Sequence, residues 1–269
     1  MAHIKPLAVV TGASSGIGFE LARQLAERGF DLVVNAEDHD RLHAAAQQLR
    51  EAGAEVETVR ADLRDHEEVE RFYAAVAATR RPVAVAALNA GVGRGGAFLD
   101  TDLADELEIV DLNVRATVHL AKRVLRDMAS LDAGYLLITS SIASTMPGSF
   151  QAVYNASKSF LQSFAQALQN ELKDTGISVT ALMPGPTETD FFHRADMDDT
   201  KIGRESKDDP EEVARQGLDA LFAGKGKVVA GSVKTKLQEL ATKALPDAAK
   251  AEAHRKMAEP GSVEDGPTG

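Results

Sequence analysis

Short apolar runs alternate with longer stretches of helical period through most of this chain, and that alternation constrains its fold more than any other feature. Leu7–Thr11, Asp31–Asn35, Glu55–Arg60, Val83–Leu88, Tyr135–Thr139 and Ile177–Met183 read as strands, with Lys227–Ala230 as a seventh. Helical patterns lie between them, such as Gly16–Arg28 and His39–Ala52, the latter closed by Gly53. Strands that recur after crossover helices pair in parallel, and a parallel sheet has to be covered on both faces. Right-handed crossovers then predict an α/β, doubly wound sheet of about seven strands. At 269 residues the chain has the length of one such domain, with its core over about 7–230. No internal repeat, low-complexity tract or linker divides it.

Two segments depart from the rhythm. Pro186–Pro210 is long, charged and poor in strand signals, and is expected to be a mobile loop over a site. Beyond Ala230, a helical tail is expected from Lys234–Ala244 and from an Ala-rich stretch running past Pro246 to about Met257, with Glu259–Gly269 frayed. The net charge of −11 argues against nucleic acid or an anionic membrane as the main partner. The absence of cysteine excludes disulfides, thiolate catalysis and Cys-based metal sites. Met1–Pro6 is too short and polar for a signal peptide, and no run approaches the 18 or so apolar residues of a membrane span. The expectation is a cytoplasmic protein.

The first strand runs into Thr11-Gly12-Ala13-Ser14-Ser15-Gly16-Ile17-Gly18, and a helix follows at once. Glycines in a strand-to-helix turn let the backbone approach a pyrophosphate, which the helix N-terminus stabilises. The spacing is G-x-x-x-G-x-G rather than G-x-G-x-x-G, and no Lys follows the last glycine as a triphosphate-binding loop requires. Farther on, Tyr154 and Lys158 stand at i, i+4 spacing, which puts both on one face of a helix. A phenol, with a reference pKa of about 10, is a poor proton donor near neutrality, and a neighbouring ammonium pulls that value down.

Together with Asn89-Ala90-Gly91 after the fourth strand, Asn113, Ser141 and Pro184-Gly185, these motifs resemble the short-chain dehydrogenase/reductase family, in its order and at its intervals over about Leu7–Ala230. The resemblance implies a Rossmann-type single domain and a nicotinamide coenzyme. It implies Tyr154 as the acid or base at the reacting oxygen, with Lys158 lowering its pKa and holding the nicotinamide ribose. Ser141 would orient the reacting oxygen, with Ser140 the competing serine, and Asn113 would hold a water linking Lys158 to solvent. For the coenzyme it implies Gly12, Ser14, Ser15, Gly16, Ile17 and Gly18 at the phosphates, Glu37 at the adenine ribose, and Asp62 with Leu63 at the adenine. Asn89, Ala90 and Gly91 would border the same side, and Pro184, Gly185 and Thr187 would lie beside the nicotinamide.

Coenzyme choice turns on Val34-Asn35-Ala36-Glu37-Asp38. A carboxylate there repels a 2′-phosphate and accepts from ribose hydroxyls, which favours NAD(H), with NADP(H) possible and Arg41 able to swing toward a phosphate. Candidate walls for an alcohol or ketone pocket are Val92, Gly93, Ser149, Phe150, Val153, Phe191 and Phe192. Phe160 and Phe164 read as core or interface residues, and Asp100–Glu108 as a solvated acidic helix face. His39 and His43 have no clear third ligand, so no metal is expected. The family likeness further implies a homodimer or homotetramer through helices Asn113–Met128 and Tyr154–Lys173, the altered tail favouring the dimer. The alternatives are a dinucleotide-binding regulator or scaffold without turnover and, more distantly, a sugar-nucleotide epimerase or dehydratase.

Overall fold

Five consecutive buried residues in Leu7–Thr11, and six in Asp31–Ala36, mark strands covered on both faces. The computed structural model, which describes residues 5–237 and 245–262, places them at the centre of one parallel sheet. The strands are β1 (Leu7–Thr11), β2 (Asp31–Ala36), β3 (Val56–Arg60), β4 (Val83–Leu88), β5 (Gly134–Thr139), β6 (Ile177–Pro184) and β7 (Lys227–Ala230). Their order is β3-β2-β1-β4-β5-β6-β7, so the winding reverses between β1 and β4. In register, Val9 stands beside Val33 on one side and Ala86 on the other. A crevice opens beyond the carboxyl ends of the strands at such a reversal.

The helices are α1 (Gly16–Glu27), α2 (His39–Glu51) and α3 (His66–Ala78), then a continuous helical run of α4 (Leu103–Ile109), a π-helical turn (Val110–Ala116) and α5 (Thr117–Leu131). After them come α6 (Ala152–Glu171), two short helices α7 (Phe191–Arg194) and α8 (Lys201–Arg204), α9 (Pro210–Phe222) and α10 (Asp247–Ala258). The strand pleat divides the core between two layers. Val9, Val33 and Ala86 pack with Phe72 of α3, Leu120 of α5 and Leu161 of α6. Val10, Val34 and Ala87 pack with Leu21 of α1, Leu42 of α2 and Leu218 of α9. Asp38, Asp65, Asp102 and Asp209 cap α2, α3, α4 and α9 with their side chains. Ser15 and Gln151, which precede α1 and α6, make no such bond.

The segment expected as a loop over 186–210 is instead a packed roof. Phe192, Ala195 and Met197 are buried in a small third core with Ala258 of α10, and Phe150, Phe191 and Ile202 pack against it. Asp208 N donates to Pro186 O at 2.7 Å and closes the neck of the segment. Its apolar residues found partners in the tail, which local periodicity does not reveal. The chain expected to fray is held as far as Ser262: Gly261 N donates to Asp199 Oδ2 at 2.8 Å, and Lys201 N to Ser262 Oγ at 3.1 Å. Of the expected helix Lys234–Ala244, residues 234–237 are helical and 238–244 lie outside the described residues, as do 263–269. The acidic run 100–108 is not merely solvated, because Glu106 is buried and accepts from Thr101 Oγ1 at 2.8 Å. Among the described residues no helix is long and apolar enough to cross a membrane.

Candidate active site

At the sheet reversal, Thr11 Oγ1 accepts from Asn89 N at 2.9 Å and from Ala90 N at 3.0 Å, drawing the end of β4 against β1. Asn89 Oδ1 accepts from Thr139 Oγ1 at 3.0 Å and ties in β5. Gly12 leaves β1 with φ +67°, a conformation that side chains resist. At Gly18 a Cβ would lie 2.1 Å from Gly12 O, so the turn folds on itself only without one. The first amides of α1 have no side-chain cap and face a cavity of about 670 Å³. Backbone donors, helix dipole and a glycine-lined floor fit the pyrophosphate of a dinucleotide.

All the residues expected at the coenzyme border this cavity, from Gly12 through Glu37, Asp62 and Asn89 to Thr187. At its adenine end the acidic groups are tied down. Glu37 Oε1 lies 2.5 Å from Arg64 Nη2, and Asp62 Oδ1 accepts from Arg64 Nε at 2.8 Å. The Arg64 guanidinium holds the Asp62 carboxyl below the usual range. Arg41 is engaged by Asp190 at 2.8 Å. Arg60, absent from the sequence reading, also borders the cavity and donates from Nε to Glu37 O at 3.1 Å.

Ser141, Tyr154 and Lys158 line the other end. Ser140 is set apart by its bond: its buried hydroxyl donates to Lys158 O at 2.7 Å and fastens β5 to α6. Lys158 is 4 % exposed, and its Nζ donates to Thr139 O at 3.0 Å. Its ammonium sits 5.7 Å from the Tyr154 ring centroid. The expected depression of the phenol is absent in this arrangement. Burial pushes Tyr154 up to about 12, with the Ser141 hydroxyl acting in the opposite direction. Burial also brings Lys158 down to about 8. Both groups are displaced toward their neutral forms by loss of solvent.

Asn113 is fully buried in the π-helical turn and does not border the cavity. Its Oδ1 accepts from Val92 N at 2.9 Å, and its Nδ2 donates to Val92 O at 2.9 Å and Ser157 Oγ at 3.0 Å. Both side-chain donors are therefore spent on protein, and Asn113 braces the chain that passes Lys158. The expected substrate walls are placed unevenly. Val92, Phe191 and Phe192 border the cavity, with the Phe191 ring 5.2 Å from that of Tyr154. Gly93, Ser149, Phe150 and Val153 do not. Ser149 turns to the tail and donates from Oγ to Ala251 O at 3.2 Å, while Phe150 lies under Arg255, 5.3 Å from its guanidinium carbon. Gln151, His254 and Met257 line the cavity and were not foreseen. Gln151 stands at i, i+3 from Tyr154, a usable signal, whereas nothing local points to the two tail residues. Phe160 and Phe164 stack on each other at 5.9 Å, away from the cavity, and the His39 and His43 rings stack at 6.3 Å.

A sheet that reverses over a glycine-lined helix start, facing a half-buried Tyr and a buried Lys, defines a dinucleotide-binding α/β protein. More narrowly, the chain belongs to the short-chain dehydrogenase/reductase family of oxidoreductases, whose model (short chain dehydrogenase) matches residues 6–200. It is 40 % identical over 190 residues to a putative ketoacyl reductase of Streptomyces coelicolor, covering 68 % of this chain and 71 % of that one. Among solved structures it resembles a short-chain dehydrogenase of Sphingobium yanoikuyae in complex with NADPH, with 28 % identity, TM-score 0.79 and coverage of 88 % and 92 %. It also resembles a family member of Burkholderia phymatum in complex with NAD, with 25 % identity, TM-score 0.80 and coverage of 97 % and 99 %.

Proposed function

We propose that this protein interconverts a ketone and a secondary alcohol using a nicotinamide coenzyme. The observation that carries the reading is the convergence of Ser141, Tyr154 and Lys158 on the cavity that also receives the uncapped start of α1. When bound, the nicotinamide supplies or takes up the hydride. The protein's part is the proton. Burial pushes the Tyr154 phenol up to about 12, which keeps it protonated but a weak acid. Its donation to a carbonyl oxygen gaining negative charge would depend on a neighbour that stabilises the phenolate. Ser141, beside it, would hold that oxygen. The Lys158 ammonium would stabilise the phenolate that remains, more strongly than in water because Lys158 is buried. The likeness to a putative ketoacyl reductase supports reduction as the working direction.

NAD(H) is the coenzyme favoured by the adenine end. The Glu37 carboxylate would oppose a 2′-phosphate, and Arg64 and Arg41 are already paired with carboxylates. That leaves Arg60, bonded to the Glu37 carbonyl, as the cation at this end that could offset the repulsion. The test is nicotinamide absorbance during incubation with a panel of ketones and each coenzyme. Ketone-dependent loss of NADH, faster than loss of NADPH, is the expected result. Coenzyme binding without any turnover across the panel would instead favour a non-catalytic binder.

The same reading extends to assembly. Leu103, Leu107 and Val110 form an exposed apolar stripe at helical spacing along α4 and the π-helical turn, and Phe160 of the neighbouring α6 is 44 % exposed. A second copy of the chain is the proposed partner for this face.

A further inference from the structure

Away from the coenzyme cavity, α3 and α5 bring three metal-ligating side chains to one point. His66 and Glu70 stand at i, i+4 in the first turns of α3, and His119 meets them from the start of α5. One ligand atom from each lies within 4.8 Å of the other two. The helices beneath are fixed, because Val69 and Phe72 of α3 and Leu120 of α5 are buried in the same core layer. The side chains themselves reach solvent: His66 is exposed, and Glu70 and His119 are half-buried. The His66 and His119 rings stack with their centroids 4.7 Å apart. His119 Nε2 bonds to Glu70 Oε1, which also accepts from Arg123 Nε at 3.1 Å and Nη2 at 2.5 Å. Glu70 Oε2 takes no bond among the described residues, so one oxygen can hold Arg123 while the other is offered to a ligand.

We propose that His66, Glu70 and His119 form a site for a divalent cation of the Zn²⁺ class, which clasps α3 to α5. Two imidazoles and a carboxylate are a donor set that zinc accepts, with water in the fourth position. Zinc bonds of about 2.0–2.2 Å put tetrahedral ligand atoms about 3.3 Å apart, so the triangle closes by up to about 1.5 Å on binding. Rotation of the exposed His66 ring supplies such a movement without disturbing the core. Mg²⁺ and Ca²⁺, which prefer oxygen, suit the two imidazoles poorly. Two positive charges oppose a cation here. Glu67 and Glu68 in the first turn offset the positive end of α3. Asp127, at i+4 from Arg123 on α5, gives that guanidinium a second carboxylate. His39 and His43, whose rings stack at 6.3 Å, belong to no such triad among the described residues. None of the three proposed ligands borders the coenzyme cavity, so the site stands apart from the ketone–alcohol reading.

The experiment titrates Zn²⁺ into the full-length protein by calorimetry, beside His66→Ala, Glu70→Gln, His119→Ala and His39→Ala. The unaltered protein and His39→Ala are expected to take up one Zn²⁺ per chain with a Kd of about 10 μM or tighter, weaker than a closed four-ligand site. His66→Ala, Glu70→Gln and His119→Ala should each weaken that binding by about 10-fold or more. Zn²⁺ should also raise the Tm of the unaltered protein and not that of His66→Ala, because a cation held only by the folded chain stabilises it. Should His119→Ala disturb the packing of α3 on α5, His66→Ala, at an exposed position, reads the same loss. No uptake below about 100 μM Zn²⁺ overturns the site. Uptake unchanged in all three ligand variants, or lost in His39→Ala, marks an adventitious ion only and overturns it equally. Mg²⁺ binding as tight as Zn²⁺ overturns the class of cation.

Discussion

Lys158 is held by opposing demands. Its carbon stem and ammonium are buried for the sake of position, with the Thr139 backbone carbonyl as the only acceptor for the ammonium among the described residues, and burial lowers its pKa to about 8. The ordinary value is 10.5, so between those two pH values the unfolded chain holds more protons than the folded one. Stability therefore rises with pH through that window, and the penalty is fully present below about pH 8. Lys158→Met removes the penalty. The variant should be more stable than the unaltered protein by about 1–3 kcal/mol near pH 8, discounting the full shift for the lost hydrogen bond, and the gap should shrink toward pH 10.5. Urea unfolding at both ends of the window measures it, and a pH-independent gap would remove the linkage. The residue identities at this end were legible, since Tyr154 and Lys158 share a helix face and Ser141 ends a strand. The direction of the Tyr154 pKa was not, because burial by the fold raises it and only the Ser141 hydroxyl acts against that.

At the scale of elements, the β1–α1 turn is the part most completely written in local sequence. Strand, glycines and helix follow one another without interruption, and the structure adds the reason for Gly18, whose Cβ would meet the Gly12 carbonyl. Gly18→Ala should therefore open the turn and weaken NADH binding by about 10-fold or more, the effect of displacing donors that act together on one pyrophosphate. A fluorescence titration of NADH is the readout, and unchanged affinity would show that the turn does not cradle the coenzyme. The π-helical turn and the roof were less legible. Asn113 fell within a helical pattern, but its bonds to Val92 and Ser157 depend on a widened turn that periodicity does not mark. Phe191, Phe192 and Met197 looked like isolated apolar residues in a charged stretch until Ala258 supplied their other side.

For the whole molecule, the doubly wound sheet was legible to within a residue or two at most strand ends, because a buried parallel strand advertises itself as an unbroken apolar run. The relation of tail to site was not. His254 meets Ser149 across a separation of 105 residues, and no local pattern encodes such a contact. The exposed stripe of Leu103, Leu107 and Val110 belongs to this scale too. If a second copy covers it, Leu107→Glu should convert a dimer into a monomer with its secondary structure intact, since burying an unpaired carboxylate costs more than such an interface tolerates. Light scattering behind size exclusion gives the mass directly. An unaltered protein already monomeric at micromolar concentration would leave the stripe without this partner.

If the Tyr154 phenol delivers the proton in the proposed reduction, its hydroxyl is needed for turnover but not for holding the coenzyme. Single-turnover reduction by Tyr154→Phe, with coenzyme affinity measured in parallel, tests it most directly. Turnover should fall by about 10²–10⁴-fold, with NADH affinity within about a few-fold of the unaltered protein. Turnover at the unaltered rate would contradict it and remove Tyr154 from the chemistry.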